Sequence, residues 1–365
     1  MSASMAIRPL ILLCISSFLL MTSHGLSGLL LPVRLNADGV NVQSIGLILS
    51  SYSAGFLLGA ILGKKILQRI GLVRTFSMCG SLAATGILCM GLEVNLVLWV
   101  AMRALMGFSI ACATATLDTW YNSVSTQSNR GKILAVNQIV ILSAVTLGQF
   151  GLTIASPSDT TLFIIAGLLF SISITPLLFI SQFEPSIESS KTMSLWSLFQ
   201  LSPLGLITCL LCGVLYSTTM NMLPLYATDV GIIGLQLSIF MGAATAGGII
   251  LQLPVGYLSD RFERRKIILL VCVILLAATF VLSMAMKLSL FTASAVLVGL
   301  VMGIIACLYP LSISITFDRA LSEQLVPALT GLLCVYAIGS IIGPYASSLI
   351  MQDFGNASLF LFMCA

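Results

Sequence analysis

Long apolar runs separated by short polar breaks limit this chain more than any other feature of its sequence. A helix needs about 20 apolar residues to cross the roughly 30 Å hydrocarbon core of a bilayer. Only 8% of the 365 residues are charged, whereas typical soluble proteins have about 25%. The pattern therefore predicts an all-α integral membrane protein that crosses the bilayer many times.

The apolar runs predict twelve spans, of which the last is incomplete. We expect them at 9–33, 43–64, 73–92, 96–122, 131–155, 160–182, 203–227, 233–256, 266–286, 290–317, 324–350 and from 356 onward. About a dozen residues follow Asp353, too few to cross. Arg8 and the apolar residues after it resemble a signal peptide, but the run continues to Val33 and is long enough to be the first span.

The two halves of the chain repeat each other at an offset of 192 residues. The offset aligns Pro32 with Pro224, Gly39 with Gly231, Gly55 with Gly247, Arg69 with Arg261 and Gly107 with Gly299. An even number of spans per half gives parallel repeats related by an axis along the membrane normal. We therefore predict two six-helix bundles, at 1–183 and 203–365, joined by a polar linker at 184–202.

The basic residues predict the orientation of the chain. Nearly all of them fall at the N-terminus or in the loops after spans 2, 4, 6, 8 and 10, whereas Arg34 and Lys287 fall on the other side. Cytoplasmic loops are enriched in Lys and Arg. The N-terminus is therefore expected in the cytoplasm, and the location expected is a bacterial inner membrane.

Two charged motifs resemble those of a known family. The segment Gly256-x-x-x-Asp260-Arg261-x-x-Arg264-Arg265 closely resembles motif A of the major facilitator superfamily, with Glu263 where a second glycine is usual. A second motif, Arg103-x-x-x-Gly107, resembles motif B of that family. The resemblance covers the whole chain through its topology, repeat and motif positions, and the YcaD-like bacterial group is the nearest branch. It implies a transporter of the MFS fold.

Motif A is implied to act as a conformational latch at the cytoplasmic ends of the helices. By the resemblance, Asp260, Arg261 and Arg265 take this role in the second half, and Arg69 and Arg74 in the first. The earlier copy has Gln68 in place of the acid, which leaves no anion there. Two acids near the ends of spans 4 and 10 are candidate partners: Asp118 and Asp318. The alternative is that these basic residues only set topology and contact anionic lipid headgroups.

Arg103 and His24 are candidates for a substrate or proton site. A cation at membrane depth costs about 2.5–3.5 kcal/mol on insertion scales, so Arg103 is expected to face a water-filled cavity or a partner. The alternative is a snorkelling side chain bonded to backbone carbonyls. His24, the only histidine, aligns with Tyr216 at the repeat offset. Its imidazole is expected to carry a coupling proton or to hydrogen-bond a substrate, and the alternative is a histidine packed between helices.

Other polar residues at membrane depth either line the cavity or form helix–helix hydrogen bonds. They are Tyr52, Asn137, Gln138, Gln149, Asn221, Gln252, Tyr309 and Tyr336. Cys209-x-x-Cys212 has the spacing of a redox or metal pair, but it lies in a predicted span without a nearby histidine and is interpreted as small apolar filler. We expect no metal and no cofactor.

These features predict a secondary transporter that moves a small organic solute by alternating access, coupled to protons. An uncoupled facilitator is the alternative within transport, favoured by the lack of a carboxylate at membrane depth. A sensor on the same scaffold stays open. A membrane enzyme is not expected, because one histidine without a nearby acid offers little for catalysis. The expected partners are a small solute, protons and lipid, with no nucleic acid, and the chain is expected to be a monomer.

Overall fold

The computed structural model describes residues 3–125, 129–180 and 193–365, and in those ranges every regular element is a helix. Eleven helical segments are long and apolar enough to cross a membrane. We label them α1 (Ala3–Ala37), α2 (Val42–Ile70), α3 (Leu72–Leu92), α4 (Leu96–Val124), α5 (Arg130–Phe150), α6 (Thr161–Ile172, continued by the one-turn helix Thr175–Leu178), α7 (Pro203–Asp229), α8 (Gly234–Arg261), α9 (Arg264–Lys287), α10 (Phe291–Phe317) and α11 (Leu325–Phe354). A short helix, Leu359–Cys364, follows α11. The predicted all-α membrane fold is confirmed.

Several helices continue beyond the predicted spans. The sequence predicts that span 2 ends at residue 64, but α2 continues through Lys64, Lys65 and Arg69 to Ile70. Likewise α8 includes Asp260 and Arg261, which were expected in a loop. Hydropathy reports the hydrocarbon core only, whereas backbone hydrogen bonding continues the helix into the headgroup region. The charged residues of motif A therefore lie on helix ends.

The same turn follows the first helix of each half. Gly39 and Gly231 both have positive φ angles, 69° and 86°. The Gly39 amide donates to the Asn36 carbonyl, and the Gly231 amide donates to the Thr228 carbonyl, each at 3.1 Å. Only glycine adopts this backbone region at little cost. The local structure thus reproduces the 192-residue offset found in the sequence.

A glycine contact also recurs in both halves. A Cβ added at Gly55 would overlap the Ala104 backbone, which brings α2 against α4. A Cβ added at Gly247 would overlap the Gly299 backbone, which brings α8 against α10. Small residues allow membrane helices to approach until their backbones touch. The repeated glycines are therefore packing positions, each used in the same way within its own half.

The chain divides into two compact units, Met1–Arg34 with Ser51–Glu188, and Leu35–Ser50 with Ser189–Ala365. The predicted bundle boundaries stay a prediction, because residues 184–192 of the expected linker lie outside the described residues. The remaining part of that linker is not wholly polar. Leu195–Leu201 forms a short helix capped by Ser194, and its Leu198 is buried in the second unit.

Candidate functional site

Arg103 is the one charged side chain that the described residues bury almost completely. It lies on α4 about 10 Å along the helix from Leu96, at 1.5 Å per residue. Only 2% of its surface is exposed. Its guanidinium carbon lies 4.7 Å from the centre of the Tyr52 ring on α2, which is a cation–π contact. The side chain therefore stays within the first unit at membrane depth.

The close contact between α2 and α4 explains this position. A Cβ added at Gly107, one turn after Arg103, would overlap the Tyr52 carbonyl oxygen. Gly55, one turn after Tyr52 on α2, contacts Ala104 in the same way. The two backbones thus touch at the level of Arg103 and Tyr52. The spacing of the motif Arg103-x-x-x-Gly107 therefore has a local purpose, because the glycine lets the arginine reach the tyrosine ring.

His24 on α1 completes a three-residue cluster. Its ring stacks on Tyr52 with the centroids 5.5 Å apart and the planes at 24°. His24 Nδ1 is buried without a hydrogen-bond partner among the described residues, and so is Arg103 Nε. Nearly all buried polar groups in proteins find a partner, so each such group calls for an explanation. We name this set, His24, Tyr52 and Arg103, the cationic cluster.

The cationic cluster has a charge that the described part of the first unit does not neutralise. No salt bridge to Arg103 occurs among the described residues. A buried charge is costly unless a partner or water solvates it. A carboxylate can accept paired hydrogen bonds from a guanidinium, and such charge-assisted bonds are about twice as strong as neutral ones. The cluster is thus chemically suited to hold an anionic group of a solute.

The other polar residues predicted for the first unit lie in different surroundings. Asn137 on α5 is buried, and its Oδ1 has no hydrogen-bond partner among the described residues. Gln138, the next residue, is exposed. The buried Asn137 oxygen therefore lacks a hydrogen-bond donor, as expected of a residue that lines a cavity. Gln138 is exposed and gives no such indication. Their predicted site roles stay predictions.

In the second unit, Tyr216 belongs to an aromatic group. Its ring lies 6.4 Å from that of Tyr336, and the Tyr336 ring lies 5.3 Å from that of Tyr309. Asn221, one turn above Tyr216 on α7, donates to the Ser217 carbonyl at 2.8 Å. We name Tyr216, Tyr309 and Tyr336 the tyrosine cluster. Gln252 is exposed in the second half of α8 and joins no described contact of this cluster.

Motif A forms an ion pair in the second unit through Arg264, which belongs to the motif but was not assigned a latch role. Arg264 Nε lies 2.6 Å from Asp318 Oδ2, and Arg264 Nη1 lies 3.7 Å from Asp260 Oδ1. Arg261 instead covers the Tyr257 ring at 4.2 Å. The spacing of Asp260 and Arg264, four residues apart, was the signal available in the sequence. Asp318 thus lies against motif A, whereas Arg265 makes no ion pair in the described structure, and the latch role of the set stays a prediction.

The corresponding latch candidates of the first unit lie at the surface. Arg69, Arg74 and Asp118 are all exposed. They form no ion pair with one another in the part of the chain that the structure describes. A latch role for these three residues, with Asp118 as the acid of the earlier motif copy, therefore stays a prediction.

A second polar contact lies at the opposite end of the second unit. Asn36 Nδ2 donates to Thr228 Oγ1 at 3.1 Å and to Asp229 Oδ1 at 3.4 Å, and the Asn356 amide also donates to Asp229. Asp229 ends α7 and Asp260 lies at the end of α8, which runs in the opposite direction. The two carboxylates therefore lie on opposite sides of the membrane. We name Asn36, Thr228, Asp229 and Asn356 the amide contact.

Among the described residues, no group of three or more His, Cys, Asp or Glu side chains is placed to hold a metal ion. Cys209 and Cys212 donate instead to backbone carbonyls, of Leu332 at 3.1 Å and of Ile305 at 3.3 Å. Both thiols thus pack α7 against its neighbours. The structure gives these cysteines a packing role, as the sequence suggested.

Curated relatives are similar over nearly the whole chain. An uncharacterized MFS-type transporter YcaD from Escherichia fergusonii is 28% identical over 366 residues, which cover 98% of this chain and 93% of the relative. An uncharacterized MFS-type transporter from Enterobacter sp. (strain 638) is 27% identical over 364 residues, with the same two coverages. The expected resemblance to the YcaD-like group is thereby confirmed.

Solved transporter structures share the fold. A mutant form of the nucleoside transporter NupG superposes with a TM-score of 0.82 at 13% identity, covering 98% of this chain and 96% of that one. A bacterial homolog of the human lysosomal transporter Spinster, in an inward-facing unoccupied conformation, gives 0.80 at 12% identity, covering 97% and 84%. The sequence profile of the Major Facilitator Superfamily matches residues 13–320 and 205–365. This chain is therefore a multi-pass membrane transporter that belongs to the Major Facilitator Superfamily.

Proposed function

We propose that the chain is a secondary transporter of a small organic solute that carries an anionic group, and that it works by alternating access with proton coupling. The observation that carries the proposal is the buried guanidinium of Arg103, which lies against Tyr52 without an acidic partner in the described structure. Burying such a cation is costly. An anionic solute would offset that cost each time it binds.

His24 is the proposed proton carrier. Its ring stacks on Tyr52, the same ring that Arg103 covers, and its Nδ1 is unpartnered in the described structure. A histidine titrates near neutral pH more readily than any other side chain. A nearby arginine disfavours the protonated imidazole, and an anionic solute on Arg103 offsets that repulsion. Solute binding would thus favour proton uptake, which is the coupling that a symporter needs.

The two polar contacts of the second unit are the proposed gates. The Arg264–Asp318 pair lies at the motif A end, and the amide contact lies at the opposite end. Neither contact is deeply buried, so each can break and form at low cost. Because basic residues concentrate at the motif A end, we place that end and the N-terminus in the cytoplasm of a bacterium, with the chain in the inner membrane.

The test is solute-driven proton flux in proteoliposomes that contain a pH-sensitive dye. Pools of carboxylates, sugars, nucleosides, amino acids and cationic drugs are compared for wild type, Arg103→Gln, His24→Ala and the exposed-cation control Lys287→Gln. We expect flux from the carboxylate pool, lost in Arg103→Gln and kept in Lys287→Gln. Proton flux that is driven by another pool and is undiminished in Arg103→Gln would contradict the anion site.

An uncoupled facilitator is the second candidate. It is favoured by the lack of a carboxylate beside the cationic cluster in the described structure. Radiolabelled solute uptake separates the two functions. Uptake without a pH change, unaltered in His24→Ala, would establish the facilitator. Binding without uptake would instead favour a sensor.

A further inference from the structure

The tyrosine cluster lies near the middle of the membrane. Tyr309, Tyr336 and Tyr216 are about 12, 17 and 20 Å from the helix ends Phe317, Leu325 and Pro203, which lie on one side of the bilayer. All three side chains are half-buried. A phenolic hydroxyl at this depth needs a polar partner, because hydrocarbon offers none. Because each ring is only half-buried, part of it can be reached by water or a solute.

Close contact between α7 and α11 sets the geometry of the cluster. A Cβ added at Gly213 would overlap the Tyr336 carbonyl oxygen, and a Cβ added at Gly339 would overlap the Leu210 carbonyl oxygen. Gly213 lies three residues before Tyr216, and Gly339 lies three residues after Tyr336. The two backbones touch at this level, which brings both rings to the same level of the second unit.

The support around the rings is rigid. Cys209, Leu332 and Val335 form a buried core against which Tyr309 and Tyr336 pack. The Ser217 hydroxyl donates to the Ser340 carbonyl at 2.9 Å and so ties α7 to α11 one residue after Tyr216. Rings held by such contacts lose little further freedom when they bind a ligand.

The rings are inclined and do not stack on one another. The planes of Tyr216 and Tyr336 meet at 53°, and those of Tyr309 and Tyr336 meet at 65°. A further aromatic ring can pack against rings inclined in this way, in an edge-to-face or offset-stacked arrangement. Asn221 adds one polar feature, since its amide nitrogen donates to Ser217 and its carbonyl oxygen stays available for a donor.

The charge of the surroundings decides the ligand class. On α7 the only charged residue is the terminal Asp229, α11 has only Asp353 near its end, and α10 has none. A cationic ligand would lose its hydration here without a nearby anion, and an anionic one without a nearby cation, which is costly in either case. A neutral planar ring loses little hydration free energy on entering, and it gains contact with the tyrosine rings.

We propose that the tyrosine cluster binds a neutral planar aromatic or heteroaromatic ring of the transported solute. This inference rests on the transport function proposed above, because it names the ring chemistry of the solute. Each ring–ring contact is expected to contribute roughly a 2- to 10-fold gain in affinity over a saturated ring of the same size. Tyr336 contributes most, since its ring contacts both others.

Matched pairs of compounds test the proposal on the purified full chain in detergent. Thermal stabilisation is titrated with benzoate against cyclohexanecarboxylate, benzamide against cyclohexanecarboxamide, and phenylalanine against cyclohexylalanine. We expect the aromatic member of at least one pair to bind more tightly. Tyr336→Leu should reduce that preference towards one, Tyr336→Phe should keep it, and Tyr345→Leu, an exposed ring on the same helix, is the control.

Several results would overturn the proposal: equal affinity within every pair, no stabilisation by any aromatic member, or a preference that persists in Tyr336→Leu. If Tyr336→Leu does not fold, Tyr309→Leu removes the other ring of the closest pair. The experiments distinguish failure of this proposal from failure of the transport proposal. Aromatic preference without solute flux would leave the tyrosine site standing and defeat transport, and flux lost in Arg103→Gln without aromatic preference would do the reverse.

Discussion

The two halves of this transporter share their backbone contacts but differ in the chemistry of their interiors. In the first unit a buried arginine contacts Tyr52, and Tyr52 stacks on His24. The 192-residue offset aligns Arg103 with Ala295 and Tyr52 with Ala244, so the second unit has no cation or aromatic ring at these two positions. Its tyrosine cluster is neutral instead. One scaffold thus holds a cationic cluster in one unit and a neutral aromatic cluster in the other.

The difference shows which positions the repeat constrains. Gly55 and Gly247 touch the neighbouring helix at equivalent places, because a side chain there would separate the backbones. Gly25 and Ser217 are also aligned by the offset, yet they hold the neighbouring helix in different ways. Gly25 touches the Val145 backbone, whereas Ser217 donates to the Ser340 carbonyl. Backbone geometry is shared between the halves, whereas the polar and aromatic side chains within each unit differ.

The largest expected effect is on solute binding. Arg103→Gln removes the one buried cation of the described structure, and a hydrogen bond to a charged group contributes about 1.5–3 kcal/mol. Affinity for an anionic solute should therefore fall roughly 10- to 100-fold. Isothermal titration measures it, with Lys287→Gln as a control of equal charge change. Unchanged affinity in Arg103→Gln would remove the chemical difference between the two units.

The next effect tests the shared backbone. Gly55→Ala and Gly247→Ala each insert a methyl group into a helix contact, so each should destabilise the fold by about 1–3 kcal/mol. Gly28→Ala and Gly256→Ala are matched controls, because nothing lies within 4 Å of a Cβ at either position. Thermal unfolding in detergent compares all four. A marked loss in one half alone would show that the two contacts are not equivalent.

Substitutions at the motif A ion pair should have a smaller effect on stability and a clear effect on transport. The Arg264–Asp318 pair is partly exposed, with side-chain exposures of 24% and 50%, so Asp318→Asn should cost less than about 1 kcal/mol of stability. Transport should nevertheless slow, and the charge swap Arg264→Asp with Asp318→Arg should restore it. Asp260→Lys should likewise impair transport and leave membrane insertion intact. Normal uptake in Asp260→Lys would disprove the latch.

The smallest expected effect concerns the serine bond between α7 and α11. Ser217→Ala removes the hydroxyl that donates to Ser340, and such interhelical bonds in membranes contribute about 0.6 kcal/mol on average. Ser347→Ala is the control, because its hydroxyl donates within its own helix, to Gly343 at 2.8 Å. Unfolding by a denaturing detergent compares the two. A larger loss in Ser347→Ala would show that the interhelical bond is unimportant.

Much of the fold could be predicted from the sequence, but less of the site could. Apolar runs indicated the spans, and the offset indicated two halves with equivalent glycines, because both are visible in the linear sequence. Arg103 and His24 stood out because a charge or an imidazole is unusual in a span. Asp318 was expected as an acid for motif A, but the sequence did not select Arg264 as its partner, since the two residues are 54 positions apart and neighbouring arginines offered equally plausible partners.

The sequence by itself determined that the chain spans a membrane in two repeated halves, because hydropathy, basic residues and repeated glycines act through local physical preferences. Only the tertiary structure decided which side chains meet. Tyr52 was one polar residue among many until α2 and α4 placed it between His24 and Arg103. Three separate helices likewise brought the tyrosine cluster together. Contacts between residues that are far apart in the sequence depend on how the helices rotate and pack, and hydropathy does not determine that rotation.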